Sequence, residues 1–406
     1  MAKKKDNILS GIVVVDFSWV VSGPVVTKFL GDYGAKIVKI ESQTRPDLCR
    51  TNAPYVGGKS GLNRSGYFAF HNNNKLSLSL NMKNPKGREI VQRLVKKADV
   101  VVENYTPGTM DRWGLGYEAL KKIKPDIIML SMSMLGQTGP HANHLGYGHE
   151  LQGYCGFTRI TGWPDREVVQ PFGALTDYLS PAMGAAAVLA ALEERDRTGE
   201  GAHLDVSQAE AGIYALAPVM LDYFANGRTD MQRGNADDAC APHGAYCCQG
   251  DDRWSVIAVT SDAEWKAFCK TIGSPAWAKD SKFKTVLGRK ENEAELDRLV
   301  EAWTVNQPAE QVMDSLQKAG VAASVVKNAR DMIDDPQLAY RKYFKTPEHP
   351  EMGPFPNLGP CCLLSDADAE ESPAPNLGQH TDYVCHEILG MSDEEFLEFF
   401  SAGAFE

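Results

Sequence analysis

Features that would mark a membrane, secreted or metal-binding protein are absent from the 406-residue sequence. It has no run of 18 or more apolar residues, and Met1–Lys5 leads into Asp6 and Asn7 rather than into an apolar segment of signal-peptide length. We therefore predict a cytoplasmic protein without a membrane partner. The nine cysteines lack the paired spacing of a zinc site or a disulfide framework, which predicts free thiols and no metal site.

Basic residues are also scarce. The sequence contains 42 Lys and Arg residues and 53 Asp and Glu residues, so its formal net charge is −11. This sign argues against nucleic acid as a partner, so any anionic ligand must be held by local cations or helix N-termini. The chain is 43% hydrophobic and 23% charged, which is typical of a folded globular protein with a sizeable core. Its length predicts two or three folded units.

Common nucleotide-binding and hydrolase motifs are missing as well. The sequence has no Walker A loop, no H-E-x-x-H and no G-x-S-x-G. A strand, turn and helix followed by a strand ending at Glu41 resembles the arrangement that binds NAD. The turn Ser18–Pro24 has one glycine in place of G-x-G-x-x-G, so a pyrophosphate could not approach it in the usual way. We therefore expect no NAD cofactor.

Strand-like and helix-like patterns alternate over the first 130 residues, which predicts an α/β unit with a mainly parallel, Rossmann-type sheet. The apolar run Gly11–Phe17 fits a strand buried on both faces, and Lys36–Glu41 is predicted to be the next strand. The small residues of Pro181–Arg195 predict a helix packed closely on another backbone, with Ser180 as its N-cap. Ser207 is predicted to cap a further helix.

The composition changes near Gly227, which predicts a domain boundary. We predict that residues 1–226 are the first part of a large Rossmann-type domain and that residues 330–406 return to it. Residues 227–329 are predicted to form a smaller α/β domain with its linkers, beginning with a loop-rich linker at 227–252.

Polar stretches follow several predicted strands, where α/β sheets bind ligands. One of them, Pro171–Asp177, ends in a carboxylate just before the predicted small-residue helix. At that position an aspartate can serve as a helix cap or face the helix dipole, so the residues alone do not assign Asp177 a chemical role.

Further segments are spread in order over nearly the whole chain. They are Asp16-Phe17 with Ser22-Gly23-Pro24, Gly34 to Glu41, Asn74-Lys75 with Leu78, Glu103-Asn104-Tyr105 with Pro107-Gly108, Ile160-Thr161-Gly162, Gly173 to Asp177, Gly199-Glu200-Gly201 with Asp205-Val206-Ser207, Gly234-Asn235 with Ala241-Pro242, and Asn376 to His380. In combination these segments resemble the family III CoA-transferases. Chance agreement at so many ordered positions is very improbable.

The resemblance implies roles for residues of this chain. Asp177 matches the aspartate that attacks an acyl-CoA thioester, and Val21 and Ser22 match the backbone donors to the oxyanion. The positions that match the CoA cleft are Leu80, Asn81, Met82, Lys83, Asn104, Tyr105, Thr106, Arg112, Leu145, Gly146, Tyr147 and Gly148. The implied substrate is a coenzyme A thioester, with no tightly bound cofactor.

The resemblance also implies an interlocked dimer, either a homodimer or a heterodimer with a related subunit. Some relatives have arginine for CoA at the position of Ser42, so Arg45 or Arg50 is expected to replace it unless the contact is absent. The segments Asp16–Trp19 and Ala241–Gly244, with Asp251–Trp254, look most like the succinyl-CoA:benzylsuccinate branch of anaerobic aromatic degradation. Succinyl-CoA is accordingly the expected donor, and benzylsuccinate or a related substituted succinate the expected acceptor.

Two alternatives remain open on the sequence. The α-methylacyl-CoA racemases share this fold and need a proton-transferring histidine, which aligns with Tyr147 here, while His149 lies two residues away. The other alternative is a catalytically silent subunit of a heteromeric transferase. The presence of Asp177 argues against it.

Overall fold

A computed structural model of the chain describes residues 7–229 and 232–406. The chain divides into two compact units. The first contains the described residues of Met1–Arg159, Val169–Asp230 and Gln337–Glu406, and the second contains those of Ile160–Val168 and Met231–Pro336. We predicted domain boundaries after residues 226 and 329. Whether the chain folds as separate domains with these boundaries remains a prediction.

The first unit is built on a six-stranded sheet whose neighbouring strands are all parallel. Its strands are β1 (Val13–Asp16), β2 (Lys36–Glu41), β3 (Lys75–Ser79), β4 (Val100–Glu103), β5 (Ile128–Ser133) and β6 (His203–Ser207). The order β3-β2-β1-β4-β5-β6 is that of a Rossmann-type sheet, which confirms the predicted α/β class. The strand order reverses between β1 and β4, and ligands of such sheets bind at the carboxyl ends beside this point.

Successive residues of the central strands enter two separate cores. On β4, Val101 packs in one core while Val100 and Val102 pack in the other, and Val15 and Val14 of β1 divide in the same way. Side chains alternate between the faces of a strand, and helices cover both faces of this sheet. Strands β1 and β4 are therefore apolar up to their last residues, Asp16 and Glu103, which is why β1 appears in the sequence within an apolar run.

Helices connect the strands within each unit, and those of the first unit cover the six-stranded sheet. They are α1 (Ser22–Asp32), α2 (Gly66–Asn72), α3 (Pro85–Val95), α4 (Thr109–Arg112), α5 (Tyr117–Ile123), α6 (Gly148–Cys155), α7 (Phe157–Ile160), α8 (Leu175–Thr198), α9 (Gln208–Ala215), α10 (Ala217–Asn226), α11 (Asp262–Thr271), α12 (Val286–Glu291), α13 (Glu293–Thr304), α14 (Ala309–Lys318), α15 (Ala329–Ile333), α16 (Pro336–Tyr340), α17 (Thr381–Tyr383) and α18 (Asp393–Ser401). Ser207 caps α9 as predicted, because its hydroxyl accepts a hydrogen bond from the Glu210 N–H at 3.3 Å.

Helix α8 begins earlier than the sequence predicted. It starts at Leu175 rather than at Pro181, and Ser180 is not its N-cap, because the Ser180 hydroxyl donates to the carbonyl of Thr176 inside the helix at 2.9 Å. The prediction was wrong because proline is common in the first turn of a helix, where its missing N–H is harmless. Here Pro181 lies further along, so the carbonyl of Asp177 loses the hydrogen bond that residue 181 would otherwise donate.

The small residues of α8 allow close packing, as predicted. A β-carbon built on Gly184 would lie 2.4 Å from Cε of Met132 in β5 and 3.1 Å from Cγ2 of Val26 in α1. By length and composition α8 is also the one helix within the described ranges that could cross a bilayer, a test that core helices of soluble proteins also pass. Its residues Ala185 and Val188 lie in the core of the first unit.

The second unit contains a three-stranded antiparallel sheet in the order β7-β8-β9. Its strands are β7 (His243–Cys247), β8 (Trp254–Ala258) and β9 (Ala322–Val325). An aromatic cluster that includes Trp265, Phe268 and Phe283 fills the core beside them. The prediction of a linker throughout 227–252 was wrong over β7, whose residues pair in register with β8.

The first unit also contains two short antiparallel strand pairs. They are β10 (Phe344–Lys345) with β13 (Asn357–Leu358), and β11 (Glu348–His349) with β12 (Gly353–Pro354).

Candidate functional site

A cleft of about 990 Å³ lies at the carboxyl ends of strands β1 to β5 in the first unit. Most of the residues predicted for the site line it: Val21, Ser22, Asn81, Met82, Lys83, Asn104, Tyr105, Thr106, Arg112, Leu145, Gly146, Tyr147, Gly148 and Asp177. Leu80 does not. Its side chain is fully buried in the core beside Leu78, because the alternation of β3 continues into it.

Asp177 lies in the first turn of α8 and is 8% exposed. Among the residues the structure describes, none donates a hydrogen bond to its carboxylate, so it is not a helix cap. Burial raises the pKa of Asp177 to about 7, and the neighbouring His149 opposes this increase because a positive charge favours the carboxylate. The site therefore holds a poorly solvated carboxylate that ionises near neutral pH.

Helix α6 forms the wall next to this carboxylate. The Thr176 hydroxyl donates to the carbonyl of Gly148 at 3.3 Å, and the Gln152 side-chain amide donates to the carbonyl of Gly173 at 2.8 Å. These two hydrogen bonds fix the beginning of α6 against the beginning of α8. His149 is exposed on the first turn of α6 and does not belong to the cleft lining, whereas Tyr147 does.

The loop between β1 and α1 contributes two free backbone donors. The N–H groups of Val21 and Ser22 have no hydrogen-bond partner within residues 7–229 and 232–406, as is usual at the beginning of a helix. The loop before them is held by Asn104, whose side-chain oxygen accepts from the Trp19 N–H at 3.0 Å and whose nitrogen donates to the Trp19 carbonyl at 2.9 Å. Both donors can therefore bond an oxyanion without first losing a protein partner.

Three cations line the cleft with no ion-pair partner in the described part of the chain: Arg45, Lys83 and Arg112. Arg50, the other residue considered as a replacement for arginine at position 42, is not available. It is fully buried and donates to both carboxylate oxygens of Glu41, at 2.8 and 2.7 Å. Unpaired guanidinium and ammonium groups at a cleft suit phosphate binding.

Aromatic side chains line the cleft beside Arg45. The Trp19 and Tyr105 rings lie 5.7 Å apart and the Tyr105 and Trp113 rings 5.5 Å apart, both in edge-on arrangements. The Arg45 guanidinium lies over the Trp19 ring at 5.0 Å from its centroid. This combination of flat apolar surface and cation can bind a purine ring next to a phosphate.

Several residues of the cleft were not predicted from the sequence. They include Lys39 in β2, Asp47 after β2, Met134 after β5, Gln208 at the start of α9, and Glu406. Asp47 follows a strand, so the rule that ligands bind at carboxyl ends could have found it. No local signal identifies Glu406, whose carboxylate reaches the cleft by accepting from the Thr44 N–H at 3.1 Å and contacting Ser42.

No group of three or more His, Cys, Asp or Glu side chains is arranged to hold a metal ion in residues 7–229 and 232–406. All nine cysteines are free. The polar groups gathered at the cleft are a carboxylate, backbone donors and cations. Their chemistry suits covalent capture of an activated acyl group whose carrier is anionic.

Comparison with known proteins gives a consistent picture. The family described as CoA-transferase family III matches residues 9–381. A probable CoA-transferase of Mycobacterium tuberculosis is 34% identical over 95% of this chain and 49% of its own length. A succinyl-CoA--D-citramalate CoA-transferase of Chloroflexus aurantiacus is 31% identical over 95% of both chains. A crystal structure of a CAIB/BAIF family protein from Brucella suis superposes with a TM-score of 0.87 at 32% identity, over 95% of this chain and all of that one.

Proposed function

The chain belongs to CoA-transferase family III and is an enzyme of that family, and we propose that Asp177 is the residue that carries first the acyl group and then CoA. The observation that supports this most strongly is the carboxylate itself. It lines the cleft, receives no hydrogen bond from the described residues, and is kept poorly solvated by burial, which raises its pKa to about 7. A carboxylate without donors loses little solvation when it attacks a carbonyl.

The reaction proceeds through two covalent states of Asp177. Its ionised oxygen adds to the thioester carbonyl, and expulsion of CoA thiolate gives a mixed anhydride between the acyl group and the aspartyl group. The thiolate then attacks the aspartyl carbonyl, which releases the donor acid as a carboxylate and leaves an aspartyl-CoA thioester. The thioester of the donor is thereby conserved as an aspartyl-CoA thioester, and the anhydride is only a transient intermediate, so no ATP is needed.

The acceptor acid reverses this sequence. Its carboxylate attacks the aspartyl-CoA thioester, expels the thiolate and forms a second anhydride. Attack of the thiolate on the acceptor's carbonyl then yields the new acyl-CoA and frees the Asp177 carboxylate. Each addition passes through a tetrahedral oxyanion, for which the unpaired N–H groups of Val21 and Ser22 are the proposed donors.

We propose that the remaining predicted residues bind the CoA portion. Lys83, Arg112 and Arg45 are unpaired cations of the cleft and suit the phosphates. Trp19 and Tyr105 offer flat surface to the adenine. Since every group required is a side chain or a backbone donor, the enzyme is proposed to work without a tightly bound cofactor, with the CoA thioester as substrate.

The proposed donor is succinyl-CoA, and the proposed acceptor is benzylsuccinate or another substituted succinate. The sequence resemblance favours these substrates, and the relative from Chloroflexus aurantiacus is named for succinyl-CoA and D-citramalate, which is itself a substituted succinate. A cytoplasmic location and a dimer, with an identical or a related subunit, are part of the same proposal.

A racemase is the second candidate, because His149 follows Gly148 on α6 and lies close enough to Asp177 to influence its pKa. A racemase would exchange the α-proton of a 2-methylacyl-CoA with solvent in the absence of any acceptor acid. Deuterium uptake under those conditions would favour that activity, whereas a transferase leaves the α-carbon unlabelled.

The direct test is transfer from succinyl-CoA to a panel of carboxylic acids by the wild type and by Asp177→Ala, with and without a candidate partner subunit. We expect the variant to lose transfer while it retains CoA binding, because the cleft cations are unchanged. An Asp177→Ala protein that transfers CoA at the wild-type rate would refute the proposed role of Asp177.

A further inference from the structure

The loop that follows β1 contains an unfavourable backbone conformation. Val20 has φ of +65°, and among the non-glycine residues with positive φ in residues 7–229 and 232–406 it is the one with a β-branched side chain. Such a side chain is rarely found in the left-handed region, because its branched β-carbon crowds the backbone. The conformation therefore has to be imposed by the surroundings, and strain of this kind is concentrated at functional sites.

Both backbone groups of Val20 are held by the segment that follows β2. Oδ1 of Asp47 accepts a hydrogen bond from the Val20 N–H at 3.0 Å, and the Cys49 thiol donates to the Val20 carbonyl at 3.0 Å. The same Asp47 oxygen accepts from the Cys49 N–H at 3.0 Å, which fixes the thiol. The Asp47 carboxylate thus accepts one of the two hydrogen bonds that hold Val20 and positions the thiol that donates the other.

The Asp47 carboxylate is itself immobilised. Its second oxygen lies 3.2 Å from Nζ of Lys39, and both side chains are almost completely buried. Lys39 also donates to the carbonyl of Ser18 at 2.5 Å, so the ion pair holds the loop at a second point. Burial disfavours the charge on Lys39, but Asp47 and Asp16 outweigh that effect and raise the pKa of this lysine.

We propose that Asp47 is a positioning residue for the reaction, an inference that rests on the proposed function. It holds Val20 in the left-handed conformation, and this sets the direction of the chain for the next two residues, Val21 and Ser22. Their unpaired N–H groups then face the reacting carbonyl in the cleft. Without Asp47, Val20 relaxes to a common conformation and the two donors move away from the oxyanion.

The test compares Asp47→Ala and Asp47→Asn with a matched control, Asp32→Asn. Asp32 is equally buried and forms an ion pair with Lys28 at 2.5 Å, but it lies at the end of α1 away from the loop. We expect Asp47→Ala to lower kcat for transfer from succinyl-CoA about 100-fold, as the loss of an oxyanion donor does, with KM nearly unchanged. Asp47→Asn keeps an oxygen acceptor for Val20 but loses the ion pair with Lys39, so we expect its kcat to fall about tenfold, less than that of Asp47→Ala. The control should unfold at lower temperature with kcat close to the wild-type value.

A rescue experiment separates positioning from a general loss of stability. Glycine adopts positive φ without strain. The double variant Val20→Gly/Asp47→Ala should therefore have a kcat about tenfold higher than that of Asp47→Ala alone. An unchanged kcat in Asp47→Ala, or in Asp47→Asn if the alanine variant does not fold, would overturn the inference. So would a loss confined to KM, or a double variant no faster than Asp47→Ala.

The rate at which CoA becomes attached to Asp177 in a single turnover keeps this inference distinct from the proposed function. If the wild type forms the adduct and Asp47→Ala forms it equally fast, the inference fails and the proposed function stands. If the wild type forms no adduct at Asp177, both fail.

Discussion

The Asp177 carboxylate rests against the bare backbone of Gly148: a β-carbon built on that glycine would lie 2.7 Å from Oδ2 and 2.8 Å from Cγ of Asp177. The same atom would lie 2.5 Å from Cβ of Ala174. Any side chain at position 148 would therefore have to displace either the carboxylate or the beginning of α8. Glycine lets the beginning of α6 close over the carboxylate, which accounts for its burial and for its high pKa.

Gly148→Ala should reduce transfer strongly, because the added methyl group pushes the nucleophile from its position. A displacement of about 1 Å at a reacting group can cost roughly 100-fold in rate, so we expect a decrease in kcat of that order. Gly153→Ala is the matched control. It lies on the same helix, and the nearest atom to its β-carbon is 4.0 Å away. Equal rates for the two variants would contradict a close contact at position 148.

The rate should depend on pH through the ionisation of Asp177. Its pKa is raised to about 7, so the nucleophile is protonated and inactive in acid and becomes ionised as the pH rises. Measured from pH 5.5 to 8.5, kcat/KM for succinyl-CoA should therefore increase tenfold per pH unit below about 7 and level off above it. A profile that is flat across this range would show that no group with this pKa controls the reaction.

Replacement of His149 should move that profile. The histidine favours the ionised form of Asp177, so His149→Gln should raise the pKa of the carboxyl and shift the rising limb to higher pH. The plateau rate should remain near that of the wild type. His141→Gln, an exposed position outside the cleft lining, serves as the control. A pH profile that does not move in His149→Gln would contradict an influence of His149 on the Asp177 carboxyl.

Asp177 should also decrease the stability of the protein above neutral pH. Its pKa is higher in the folded protein than the usual 3.8, so the folded state holds the extra proton between about pH 4 and 7, and stability falls as the pH rises through that window. Asp177→Asn removes this cost. Chemical denaturation should show the variant to be more stable at pH 8, by up to about 4 kcal/mol for a shift of about three units, and no more stable at pH 3. Equal stability at pH 8 would contradict a raised pKa.

Arg45 should contribute to CoA affinity in place of an arginine at position 42. Arg45→Ala removes an unpaired cation from the cleft and its contact with Trp19, so KM for succinyl-CoA should rise about tenfold with little effect on kcat. The weaker binding should also depend less on salt concentration. Arg298→Ala, an exposed arginine of the second unit, is the control. An unchanged KM would mean that Arg45 has no part in CoA recognition.

The sheet was the most predictable part of the structure. Strand Lys36–Glu41 was predicted with the bounds that the structure shows, because polar and apolar residues alternate along it as they do in a strand. The boundaries that failed depended on tertiary context. Pro181 was assigned to a first turn, although packing of α8 against α1 and β5 supports the helix through it. The strand β7 forms because β8 pairs with it, and nothing in its own sequence required this.

The candidate site could be predicted only in part. Asp177 and most of the cleft residues came from the family resemblance, because a single aspartate before a helix has no chemical signature of its own. Leu80 was predicted to line the cleft. It follows β3 directly and its side chain lies on the same side as that of Leu78, in the core. The hydrogen bond between Asp47 and Val20 joins residues that are far apart in the sequence, and it helps to hold Val20 at a positive φ. No local sequence pattern could show either feature.

The most direct measurement is mass spectrometry of peptides from enzyme that was incubated with succinyl-CoA and then treated with hydroxylamine or borohydride. Hydroxylamine converts an aspartyl thioester or anhydride to a hydroxamate, and borohydride reduces the thioester to an alcohol. We expect either label to appear at residue 177 of the wild type and to be absent from Asp177→Asn. Sustained transfer of CoA by an enzyme in which position 177 is never labelled would contradict it.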